Sequence, residues 1–110
     1  MSTENEIIKS EAIHLTNHVE YSKDSVVSKT LVDKKTGTIT LFAFDEGQGL
    51  SEHTAPFDAV VQILDGEAEI TIDGNPKKAR AGRMVIMPAD VPHSLKAVKK
   101  FKMLLTMIRT

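Results

Sequence analysis

The chain has 110 residues, of which 41% are hydrophobic and 26% charged, with a formal net charge of −1 and no cysteine. This length suits one domain with a modest core, and the lack of cysteine excludes disulfide frameworks, thiolate metal centres and cysteine nucleophiles. No apolar run approaches the roughly 20 residues of a membrane-spanning helix, and the polar start, MSTENEIIKSE, lacks the basic-then-apolar pattern of a secretory signal. The expectation is a cytoplasmic protein without a membrane partner. Charge is unevenly spread: residues 1–73 carry fourteen acidic and five basic side chains, residues 74–110 one and nine. A basic C-terminal third raises the question of nucleic acid. However, pairing of late strands with early ones would bring opposite charges together, and the chain has only three arginines and one tyrosine. No nucleic-acid partner is expected.

In chain order, residues 1–12 read as a flexible arm and 13–110 as a single domain. AIHLTNHVEY alternates through Ile13 and Leu15 and predicts a short edge strand, with His14 and His18 as exposed surface histidines. SVVSKTLV (25–32) and TITLFAF (38–44) are β-branched and aromatic runs joined by DKKTG, a hairpin signal ending in Gly37. AVVQIL (59–64) predicts a strand ended by Asp65-Gly66, and EAEITI (67–72) a second, with Ala68, Ile70 and Ile72 on one face. Asp73-Gly74-Asn75-Pro76 reads as a turn. MVIM (84–87), HSLKAV (93–98) and FKMLLTMI (101–108) follow, the first two separated by the proline-bounded corner PADVPH. Seven to nine short strands with glycine, proline and aspartate turns indicate an all-β sandwich or barrel. Runs such as TLFAF and KMLLTM are apolar on both faces. The inner face would line the barrel, and a second copy of the chain, giving a homodimer, is expected to cover the outer one. Met84, Met87, Met103 and Met107 read mainly as core filler.

Two stretches carry glycines, prolines and histidines at regular spacing. In the first, Gly47 is followed after five residues by His53, with Ala55 two positions on, then Ala59, and Gly66 seven beyond that. In the second, Gly82 is followed after five residues by Pro88, then Asp90, His93 and Ala97. These stretches resemble the paired motifs of the cupin superfamily, and the resemblance spans roughly residues 38–98. It implies a double-stranded β-helix, or jelly-roll barrel, of the RmlC-like type. It also implies a metal held by three histidines and one carboxylate or amide. Only His53 and His93 stand at such places here; Ala55 and Ala59 occupy the other two, while Asp90 and Ala97 replace the glycine and asparagine of the second motif.

The alternation of a strand puts Ala59, Val61 and Ile63 on one face, and Asp58 and Gln62 on the other. His53 and His93 are thus expected to enter an apolar barrel mouth from distant strands. Phe42, Phe44, Val61 and Met107 are expected to line a ligand pocket with them. As an incomplete set, the two histidines would hold a divalent ion (Zn, Ni, Mn or Fe) weakly: Zn or Ni with waters, and Mn or Fe less readily, because those two want carboxylate or further nitrogen donors. Two function classes follow. The first is a module binding a small, partly apolar organic molecule, with both histidines fixing its polar end. The second is an enzyme of isomerase, epimerase or dioxygenase type acting on a carbonyl or enol compound. Its candidate catalytic groups are His53, His93 and Asp58, the last because a carboxylate moves an imidazole's pKa across neutrality. No Ser-His-Asp order and no phosphate-cradling glycine loop is present.

Overall fold

A computed structural model describes residues 9–109. Eight strands form among them: β1 (Val26–Lys34), β2 (Gly37–Phe44), β3 (Gly49–His53), β4 (Ala59–Ile72), β5 (Asn75–Arg80), β6 (Met84–Met87), β7 (His93–Lys96) and β8 (Phe101–Ile108). All pairings are antiparallel. The molecule is an all-β jelly roll, as the strand signals and paired motifs lead one to expect.

β4 organises the whole. The sequence predicts two strands interrupted at Asp65-Gly66; the chain instead runs through as one strand of 14 residues. Its first half pairs with β8 on one side and β6 on the other, and its second half with β5 and β7. Asp65 and Gly66 are therefore not an end but a bend that carries the strand from one sheet into the other. Gly66 has φ +74°, and a Cβ there would collide with the Lys100 carbonyl oxygen. The first sheet runs β6-β4-β8-β2-β1, and the second runs β5-β4-β7-β3.

The inner faces of the two sheets enclose one core of Val61, Ile63, Ile70, Leu95, Phe101 and Met103 with Phe44. Phe44 is fully buried and stacks on Phe101 at 4.5 Å between ring centroids and on Phe42 at 5.8 Å. A second, smaller core lies outside the first sheet: Leu41 and Ala43 of β2, with Leu64 and Leu104, are covered by Leu15, Val19 and Tyr21. This corrects one expectation. The segment around Ile13 and Leu15 is not an edge strand but an extended stretch with a 3-10 turn at Leu15–His18. Part of the outer apolar face is thus covered by the chain itself. Tyr21 fixes this cover: its hydroxyl donates to Asp65 at 2.5 Å, and the Lys100 and Lys102 ammonium groups lie over its ring. The buried Lys102 ammonium also donates to the Thr16 carbonyl at 2.6 Å. Residues 9–12, the described part of the expected arm, are exposed and lie in a turn and bend, while residues 1–8 of that arm lie outside the described residues.

Asn75–Arg80 forms a strand where the sequence shows only a turn and a charged run, because NPKKAR has no apolar alternation and only Ala79 is buried. Met84 is not core filler: it is 56% exposed on β6.

Candidate functional site

His53 is the last residue of β3 and His93 the first of β7. They are direct cross-strand partners, placed opposite each other by an irregularity between Leu50 and His53. Cross-strand partners share a face and approach closely, so two imidazoles forty positions apart meet. Their Nε2 atoms are 3.2 Å apart and their ring planes lie at 72°. His53 opens toward solvent, whereas His93 is 3% exposed.

Each ring is held in the same way. The Nδ1 of His53 lies 2.8 Å from the Ser51 carbonyl, and the Nδ1 of His93 lies 3.1 Å from the Val91 carbonyl. A carbonyl oxygen only accepts, so each Nδ1 carries the proton. In the neutral rings both Nε2 atoms then present lone pairs to each other. That arrangement is repulsive unless something electropositive lies between them: a proton, a hydrogen-bond donor or a metal ion. Burial in apolar surroundings holds the His93 pKa below the ordinary histidine value. The Val91 carbonyl opposes this shift, and the neighbouring His53 adds to it. At neutral pH His93 is accordingly an acceptor.

The corner that sets His93 closes onto the first motif. Asp90 occupies the left-handed region, φ 63°, in place of the glycine of the resembled motif; aspartate tolerates this conformation better than most side chains. Its N–H donates to the Ala55 carbonyl at 2.7 Å, tying the two histidine-bearing segments together.

Behind the rings lies a cavity of about 40 Å³. One wall is Leu50, His53, His93 and Leu95 of β3 and β7, with Ala55 at its edge. The facing wall comes from the first sheet: Ala59, Met87, Met103, Leu105 and Met107. A water needs about 10–15 Å³ of such space, so the cavity takes on the order of three waters, or an equivalent small guest reaching in from the His53 side. Apart from the two imidazoles, every lining side chain is apolar.

Of the residues expected at the pocket, His53, His93 and Met107 are there. Phe42, Phe44 and Val61 lie on the same inner face but belong to the packed core. Alternation gave the right face and the wrong depth. Asp58 does not join the histidines. It is exposed, its carboxylate accepts the Ala89 N–H at 2.8 Å, and it lines a separate cleft with Phe57 and Arg109. The physical reason is the strand period, since a neighbour of the inward Ala59 faces outward. Leu95, on the face of His93, lines the cavity as alternation implies, whereas sequence reasoning missed Leu50 and Leu105 and did not single out Met87 from the other methionines. The strand MVIM is apolar on both faces, so its pattern cannot show that Val85 and Met87 turn inward.

The resemblance implies a four-donor metal, and the residues present do not fit it. Ala55 and Ala59 offer no donor, Gln62 faces out, and no three His, Cys, Asp or Glu side chains converge among the described residues. A hard ion finds no anionic oxygen in this cavity.

Comparison with known proteins agrees with this architecture. The cupin-domain family model matches residues 40–109. The fold is similar to that of a conserved Streptococcus pyogenes protein of unknown function, with 41% identity, 100% of this chain and 96% of that chain covered, and a TM-score of 0.91. It is similar also to a cupin superfamily protein from Desulfitobacterium hafniense, at 27% identity, 96% coverage of each chain and a TM-score of 0.89. A cupin 2 conserved barrel domain protein from Leptotrichia buccalis shares 39% identity over 87% of this chain and 47% of its own, with a TM-score of 0.85. No curated protein matches the sequence. With a family model covering well over half its length and both histidine-bearing motifs in register, the chain belongs to the cupin family.

Proposed function

We propose that this cupin barrel is a binding protein that holds a small guest at the paired Nε2 atoms of His53 and His93. The observation that supports this reading is the matched anchoring of both rings. Each Nδ1 proton is committed to a backbone carbonyl, and two lone pairs converge at 3.2 Å over an apolar cavity. Such a pair is built to accept. It suits a hydrogen-bond donor or a cation, either alone or as the end of a small apolar guest. Enzymatic proton transfer of the His–carboxylate kind has less support, because no carboxylate among the described residues lines the cavity and Asp58 is engaged elsewhere.

The test is a thermal-shift screen of small alcohols, amines and metal ions against the purified protein, with His53→Ala and His93→Ala in parallel. A guest at a hundredfold excess over Kd stabilises by about 2.7 kcal/mol. The expected result is stabilisation by one chemical class, lost in both variants. Stabilisation that persists in both variants contradicts the reading.

Homodimerisation belongs to the same proposal, with a defined surface. Cross-strand partners Ile86, Val60, Thr106, Ile39 and Val32 form one row across the outside of the first sheet. Ile86 is 53% and Val32 40% exposed, and the row lies beside the part covered by Leu15 and Val19. Sedimentation of the wild type as a dimer and of Ile86→Lys as a monomer is expected; a monomeric wild type refutes it.

A further inference from the structure

The two alanines that break the metal set leave room for a different one. Ala59 pairs with Met87 on one side and Met107 on the other. Residues paired in this way share a face and stand about 4.8 Å apart from strand to strand. Two methionines therefore flank the single methyl of Ala59, at the place where the resembled motif carries a carboxylate or amide. Both line the cavity with the two imidazoles. Methionine is unbranched and adaptable, and the residue between the two on the sheet is only an alanine, Ala59.

We infer that His53, His93, Met87 and Met107 form a site for a soft monovalent cation, specifically Cu(I). This inference rests on the reading of the histidine pair as a binding site and names its guest. Three observations carry it. Two nitrogens 3.2 Å apart match two bonds of about 2.0–2.1 Å to one ion at an angle near 100°, which leaves further positions open toward the cavity. The remaining donors there are thioether sulfurs, and thioethers select Cu(I) over harder ions. Among the described residues the lining also carries no anionic group. Because the Born cost of burying an ion grows with the square of its charge, a divalent ion held by neutral donors costs about four times what a monovalent one does.

The test is an anaerobic titration of the metal-stripped, full-length protein with Cu(I) against a chromogenic Cu(I) chelator, alongside Zn(II) titration and copper-edge X-ray absorption. The key variant is Met87→Leu/Met107→Leu, which conserves volume and should keep the fold. One Cu(I) per chain is expected, with sulfur neighbours in the absorption spectrum. The double variant should lose those neighbours and about tenfold or more in Cu(I) affinity, while its Zn(II) affinity and metal-free melting temperature stay near wild type. Equal Cu(I) affinity in wild type and double variant, a copper spectrum without sulfur, or Cu(I) binding unchanged in His53→Ala overturns the inference. Histidine-dependent stabilisation by an organic guest, with no Cu(I) bound, overturns it while leaving the histidine pair as a binding site.

Discussion

At the scale of single residues, the site depends on where protons sit. Burial lowers the His93 pKa below the ordinary value of about 6.5, so the unfolded chain binds more protons than the folded one as pH falls through that value. The His93 contribution to stability is therefore complete above about pH 6.5 and is lost progressively below it. Among the described residues the other titratable group facing it is His53, and no Asp, Glu, Lys or Arg lines the cavity. Denaturant unfolding of metal-free protein should show stability falling between about pH 7 and pH 5, and falling less in His93→Gln; parallel curves would contradict the assignment. Thr38 offers a second check. Its hydroxyl oxygen is buried on the inner face of β2 with no hydrogen-bond partner among the described residues. Thr38→Val should stabilise by about 1 kcal/mol, because an unsatisfied buried hydroxyl is replaced by a methyl of similar shape. The two histidines were legible from spacing alone, since His53 follows Gly47, and His93 follows Gly82 and Pro88, at the intervals of paired motifs. Thr38 was not, because nothing local to TITLF says which hydroxyl is left without a partner when β8 docks.

At the scale of elements, β4 is the part that the sequence describes least well and the site needs most. Its first residue, Ala59, sets the floor of the cavity, and its last, Ile72, pairs with His93. One strand thus spaces the two walls, and the bend at Gly66 fixes the angle between them. Gly66→Ala should cost on the order of 2–3 kcal/mol, combining a strained left-handed backbone with a collision against the Lys100 carbonyl and the Phe101 backbone. Gly82→Ala meets nothing within 4 Å at φ +91° and should cost only the backbone strain, about 1–2 kcal/mol. Chemical denaturation of both variants checks this, and equal losses would mean that the close approach at Gly66 is irrelevant. Asp65-Gly66 looks like a strand end because turns and bends use the same residues. The feature that tells them apart is a continuous pairing with β8 before the bend and with β5 and β7 after it, and such pairing is not local. The same limit explains Asn75–Arg80, whose strand character comes from its neighbour on β4 and not from its own pattern. Ile13 and Leu15 misled in the opposite direction: they alternate, yet Leu15, Val19 and Tyr21 cover the outside of the sheet.

At the scale of the whole molecule, two curved sheets sharing one strand bring two short, unremarkable segments, SEH and HSL, to one mouth. Family membership establishes the barrel, but it says nothing about what the barrel holds, because one fold hosts many sites. What this chain adds is a departure from its own family pattern: alanines at two donor positions, a matched pair of anchored imidazoles, and methionines beside the vacated place. The most direct measurement is long-range proton–nitrogen NMR of the histidine rings in metal-stripped protein at about pH 8, above the ordinary histidine pKa. The expected spectrum shows both His53 and His93 protonated at Nδ1 and bare at Nε2, with both Nε2 signals moving together when a guest is added. A ring protonated at Nε2 and bare at Nδ1, or a guest that shifts only one of them, would contradict a paired acceptor site.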